Sequence, residues 1–311
     1  MYQKIRWRQP VMLLLVTGLF WLLLDAAEVR AAVTEGLSLC TRSVIPSLFP
    51  FLAVSALLMS LGFGEWLSGP LSGLMALYRI GGAGASALLL GLVGGYPVGA
   101  RTAASLVSDG VLSKEEGERL LTFCNNSNPA FLITVLGLGV FGSVRTGMWL
   151  WLIHILSALL TGLLLARRPR RTKSAARRPA PSMPPFRMVR FSSAFVAAVQ
   201  SALQSMAGIC AFVVFFYVLA LPLRRIGGTA ATVLAGMLEL FSATPRLTND
   251  AAGFVMAAGL AGWGGVSVHC QTMAVLGDSG LSAAPCVAGK AVQGLLSALL
   301  AALLCPWVLG A

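Results

Sequence analysis

Hydrophobic residues arrive in long runs, without strand alternation or heptads, and runs of this length read as membrane helices. They cover residues 10–24, 44–61, 85–107, 129–142 and 148–166, then 191–223, 227–243, 251–276 and 283–304. Pro46 and Pro50 fall in the first turns of the second run, where a missing N–H costs no helical hydrogen bond. Residues 28–42 and 64–78 mix polar and apolar positions and are expected at a membrane interface. Ser113 and Glu116 form a capping box that opens a short amphipathic helix bearing Leu120, Leu121 and Phe123. Asn128 is expected to cap the helix that begins at Pro129.

Two stretches cannot continue as helix. In Gly94-Gly95-Tyr96-Pro97-Val98-Gly99, Pro97 donates no N–H and drives Tyr96 out of the α region. Arg101 follows in the first turn of the renewed helix, beside unpaired N–H groups and the positive dipole end. The second interruption is Asn125-Asn126-Ser127-Asn128-Pro129. Irregular backbone at membrane depth survives only where protein or a water-filled cavity satisfies it, and paired broken segments are how transporters build sites. In the second half Glu239 stands in an apolar context, and Ser267, His269 and Gln271 follow Gly262-Trp263-Gly264-Gly265.

Composition agrees with a membrane protein and excludes a soluble domain: 57% of residues are hydrophobic and 11% charged. Lys4, Arg6, Arg8 and nine Lys/Arg between 167 and 190 account for the whole net charge of +12. The excess therefore sits in an N-terminal arm and one Arg/Pro/Ala-rich linker, 167–190, read as disordered and cytoplasmic. No aromatic interleaving accompanies these runs, so nucleic acid is not expected as a partner. The first run could be a signal peptide, and is read as a retained helix. Six cysteines show no metal-ligand or disulfide spacing, and no nucleophile–base pair or phosphate loop is present. No cofactor, metal or catalytic residue is expected; the chain does not read as an enzyme.

The halves repeat weakly. Val135-Leu136-Gly137 matches Val275-Leu276-Gly277, and Leu156–Leu160 matches Leu296–Leu300, both 140 residues apart. With the N-terminus and the linker on the cytoplasmic side, the second half runs upside down relative to the first. The expected fold is all-α: a polytopic helical membrane protein with two inverted repeats, each with a broken re-entrant hairpin. Arg224 and Arg225 then fall outside, against the positive-inside bias.

Several motifs carry a family resemblance: Pro46–Phe51, Gly95–Ala100, Ser113–Leu121, Asn125–Phe131, Glu239-Leu240 and Gly265–Gln271. On these the chain resembles sporulation integral membrane proteins carrying a nucleoside-recognition (Gate) domain, from about Gly36 onward outside the linker. It departs from that pattern at Asn128, where the family has Gly, and at Phe241-Ser242, where a Thr follows the Glu. The resemblance implies an N-terminal segment 1–30 and Gate-like repeats at 31–166 and 191–311. It implies passage of a small organic anion, dipicolinic acid, across the outer forespore membrane. A non-transporting sporulation scaffold and a nucleoside permease stay open. Expected partners are the lipid bilayer, a small anionic solute, and a second copy or other sporulation membrane proteins.

The candidate substrate-binding residues are Gly94, Gly95, Tyr96, Pro97, Gly99, Arg101, Asn125, Asn126, Ser127, Asn128, Glu239, Ser267, His269 and Gln271. Arg101 is expected to attract a carboxylate. Glu239 is read either as its counter-charge across the repeat interface or as a proton- or cation-coupling group. His154 is read as structural and Lys290 as snorkelling from a helix start.

Overall fold

The computed structural model describes residues 8–63, 66, 69–166, 190–277 and 279–310, which excludes all of the basic linker but Arg190. Among the described residues every regular element is helical. Helices α1 (Arg8–Leu24) and α2 (Ala26–Leu39) are followed by a π-turn (Cys40–Val44) and α3 (Ile45–Ser60). Next come α4 (Ser72–Leu77), α5 (Gly84–Val93), α6 (Val98–Ser108), α7 (Lys114–Leu121), a π-helix (Phe131–Leu138) and α8 (Val144–Ala166). Beyond the linker lie α9 (Phe191–Leu219), α10 (Leu221–Ile226), α11 (Gly228–Leu238) and α12 (Leu240–Ala243). A 3-10 turn (Thr244–Arg246), α13 (Ala251–Trp263), α14 (Val266–Leu276) and α15 (Ala284–Leu309) complete the chain.

Among the described residues, four stretches are long and apolar enough to cross a membrane: Val144–Ala166, Phe191–Leu219, Ala251–Leu276 and Ala284–Leu309. Helix α1 with Ala26–Val44 makes a fifth if that pair, bent by 92°, is one span. The protein is an integral membrane protein on this evidence.

The second hydrophobic run behaves differently from its sequence. Its helix does not start at Val44; it continues from α2, so Pro50 lies in a helix interior. The π-turn explains how. Ile45 N–H reaches back to the carbonyl of Cys40, and this widened turn sits directly before Pro46 and Pro50, which lack N–H donors. The capping box forms as expected, with Ser113 Oγ accepting from Glu116 N–H and the Glu116 carboxylate from Ser113 N–H. Leu120, Leu121 and Phe123 are buried in protein.

Loop contacts sort the helix ends into two faces. On one face Arg224 pairs with Glu35, and Arg225 pairs with Asp25 at 2.6 Å and with Glu28 at 3.8 Å. Asn249 Nδ2 donates to the Phe141 carbonyl at 3.4 Å. Nearby, Asp250 accepts from Gly253 N–H, and that bond holds its carboxyl below the ordinary aspartate value. On the other face Gly81 N–H donates to Glu116 at 2.9 Å and Ser282 N–H to Glu118 at 3.3 Å. Arg224 and Arg225 are thus both paired with carboxylates at the end of α1 and along α2.

Two large apolar clusters hold the bundle. One joins α3, the π-helix, α8, α9, α13 and α15 around Phe131, Phe241 and Phe254; the other joins α4 to α7 around Tyr78 and Phe123. Buried along with these clusters is a layer of polar side chains, among them Asn125 to Asn128, His154, Glu239, Lys290 and Gln293.

Candidate functional site

Four interruptions of helical backbone meet in that layer. The first, between α5 and α6, turns through Gly95 at φ +77° and a cis Tyr96–Pro97 bond. The second, residues 125–128, links α7 to the π-helix. The third is Glu239, extended at φ −150° and ψ 118°, between α11 and α12. The fourth is Gly264-Gly265, both at positive φ, between α13 and α14.

Close approach ties these breaks together. A Cβ on Gly95 would lie 2.7 Å from Asn128 Cβ, so the first two breaks touch. One on Gly265 would lie 3.2 Å from the Leu238 carbonyl oxygen, so the last two touch. One on Gly264 would sit 3.6 Å from the Tyr96 ring, which joins the pairs. The lead-in to the second break is wedged between α5 and α6. A Cβ at Gly91 or Gly99 would fall 1.6 or 2.0 Å from the Cys124 carbonyl oxygen. Gly99 thus serves packing, whatever else it does.

Each break leaves backbone groups without helical partners, and side chains take them up. Ser127 Oγ donates to the Ala261 carbonyl at 3.3 Å, just before the fourth break, and shares a 2.8 Å bond with the Tyr96 hydroxyl. Trp263 Nε1 donates to the Met237 carbonyl at 2.9 Å, just before the third. Asn128 Oδ1 caps the π-helix through Phe131 N–H at 2.8 Å, as expected of it. Glu239 accepts from Ser242 N–H at 2.8 Å and so caps α12.

The centre continues into two helices that sequence reasoning set aside. Ser127 N–H donates to His154 Nε2 at 3.1 Å, which places the ring proton on Nδ1. Gln293 Nε2 donates to Asn126 Oδ1 at 3.0 Å and lies 3.3 Å from His154 Nε2 and from the His154 carbonyl oxygen. Gln293 Oε1 accepts from Lys290 Nζ at 2.9 Å. Lys290 does not snorkel; it is 1% exposed, because α15 begins at Ala284 and carries it almost two turns into the bundle. Its signal was available as Lys290-x-x-Gln293 on one face of an apolar helix, where a charge usually marks function. Ser297 Oγ donates to Ser157 Oγ at 2.7 Å, and these two serines are themselves 140 residues apart.

The predicted residues therefore divide. Gly94, Gly95, Tyr96, Pro97, Asn125 to Asn128, Glu239, Ser267, His269 and Gln271 lie at the breaks or in the first turns beyond them. Asn125 Nδ2 donates to Thr272 Oγ1 at 2.8 Å, and Gln271 Nε2 to Ser267 Oγ at 3.4 Å, so α14 joins the second break. Arg101 stands apart: it is exposed and donates to Ser201 Oγ on α9 at 3.3 Å. No ion pair joins it to Glu239 among the described residues. The counter-charge reading of Glu239 thus finds no geometry to support it.

One curated protein is similar in sequence: the Sporulation integral membrane protein YlbJ of Bacillus subtilis (strain 168), 34% identical over 144 residues. The match covers 46% of this chain and 35% of that protein, so it spans about a third of the relative's length. Over those residues the chain is similar to a sporulation integral membrane protein. No family model matches the chain, and no solved structure matches it.

Proposed function

We propose that the chain is a permease, not an enzyme, that passes a small organic anion through the membrane. Dipicolinic acid entering the forespore across its outer membrane is the cargo that the family resemblance implies. The observation that carries the reading is the meeting of four backbone interruptions around buried polar side chains. Such interruptions cost hydrogen bonds that a structural bundle has no reason to give up, and transporters use them to present helix ends to a solute. In this reading α5–α6 and α11–α12 are re-entrant hairpins that enter from opposite faces, the two halves being inverted Gate-like repeats. The 2.7 Å contact of Ser157 with Ser297 supports this, since equivalent residues meet on a two-fold axis. The counterparts are not identical: the π-helix lies along α8, whereas α15 lies chiefly along α13.

Side-selective labelling tests the topology. In a background without the six native cysteines, Arg79→Cys and Lys114→Cys should react from one side of the membrane. Arg145→Cys and Ile226→Cys should react from the other. Reaction of Arg79→Cys and Lys114→Cys from opposite sides would rule out a re-entrant α5–α6.

The scaffold reading also has an observation behind it, since most polar groups of the centre bond one another. Uptake decides between the two. Proteoliposomes should accumulate dipicolinate above empty liposomes and discriminate against nucleosides, with simple dicarboxylates as a third comparison. Nucleoside uptake without dipicolinate uptake would favour a nucleoside permease, and no uptake of any of these would favour the scaffold.

A further inference from the structure

We propose that Lys290 and His269 together bind a carboxylate of the transported solute, so that Lys290, and not Arg101, selects an anion. This rests on the permease reading and adds to it the charge that recognises the cargo.

Lys290 has three N–H donors, and among the described residues its acceptor is the neutral Gln293 Oε1. No carboxylate stands within ion-pair distance of it among those residues. A lysine buried this deeply in a membrane bundle normally faces a partner charge or a substrate path. Here its Cε adjoins the Gly264 break, where a Cβ would lie 3.7 Å away, and its Nζ is 6.0 Å from the Tyr96 ring centroid. The cation therefore sits where the first and fourth interruptions meet.

The second observation is independent. His269, in the first turns of α14, is 4% exposed, and neither ring nitrogen has a hydrogen-bond partner among the described residues. Its ring is held edge-on to Trp263, with centroids 4.4 Å apart, so packing fixes its direction without satisfying it. A buried imidazole with both nitrogens idle is costly unless something else completes it. Asn125 closes the circuit between α14 and α15, touching Thr272 at 2.8 Å and Cys286 Sγ at 4.0 Å, one turn before Lys290. An ammonium, an imidazole N–H and the positive start of α14 make a set of donors suited to a carboxylate. Arg101, exposed and already bonded to Ser201, lies outside this set.

The test compares pyridine-2,6-dicarboxylate with its uncharged diamide, by equilibrium binding to the full chain in detergent. Wild type should prefer the dicarboxylate at least about tenfold, as expected of a charge-assisted contact. Lys290→Met should lose that preference while Arg101→Gln keeps it. His269→Phe retains the ring against Trp263 and breaks no hydrogen bond, so it should fold and weaken dicarboxylate binding about fivefold or more. That variant decides the matter should Lys290→Met not fold. Unchanged binding in His269→Phe, or an unchanged preference in Lys290→Met, overturns the proposal and leaves the permease reading intact. Wild type that binds neither compound overturns both.

Discussion

Alanine at Gly91 or at Gly99 is expected to leave little folded protein in the membrane. Both glycines face the Cys124 carbonyl, and the added methyl would lie 1.6 Å or 2.0 Å from its oxygen. The obstacle is backbone, not the end of a flexible side chain, so no rotamer relieves it. Either α5 and α6 separate or the second interruption shifts, and both movements pull apart the layer where the breaks meet. Overpacking that forces backbone displacement costs about 3 kcal/mol, a large share of the 5–15 kcal/mol by which folded proteins are stable. Gly208→Ala is the control, since a methyl there meets nothing within 4 Å and alanine favours helix. Heating a detergent-solubilised fluorescent fusion and measuring the surviving monodisperse fraction reads the effect. Equal midpoints for Gly91→Ala and Gly208→Ala would mean that the Cys124 carbonyl does not occupy this gap.

Gln293→Leu should be nearly as damaging, for an electrostatic reason. The substitution keeps volume but removes the acceptor of Lys290 and the donor to Asn126. A buried ammonium without its acceptor costs more than an ordinary lost hydrogen bond, on the order of 3 kcal/mol. Adding Lys290→Met to Gln293→Leu should restore much of the loss, because the stranded charge is then gone. The measurement is the coupling in a double-mutant cycle, expected above about 1 kcal/mol. Additive losses would show that Lys290 and Gln293 do not act as a pair.

The sequence announced the interruptions more clearly than the charges. Gly-Gly before Tyr96-Pro97, the Asn/Ser run at 125–128 and Gly264-Gly265 are punctuation that survives any tertiary context, because no helix absorbs them cheaply. The capping box and the Asn128 cap were legible for the same reason, being local bonds within four residues. What sequence misplaced depends on depth. Lys290 and Arg101 each lie in the early turns of a helix, and only the packing of α15 against α13 and α8 buries one while the other reaches the surface. Proline at 46 and 50 misled about a helix start, since a π-turn lets the chain carry both prolines without stopping. The ion pairs of Arg224 and Arg225 join residues about 200 apart, beyond any local signal.

The four breaks satisfy one another across elements, and this bears on how the protein could move. Ser127 bonds the Tyr96 hydroxyl and the Ala261 carbonyl at once, and Trp263 holds Met237. No tip can swing away singly without stranding polar groups on its neighbours, so small independent flickers of one hairpin are suppressed. Amide hydrogens around residues 127, 239 and 265 should accordingly exchange with solvent at a common rate, as one cooperative unit. A conformational cycle in this molecule would then be a switch between two whole arrangements of the centre, with few partly opened states between them.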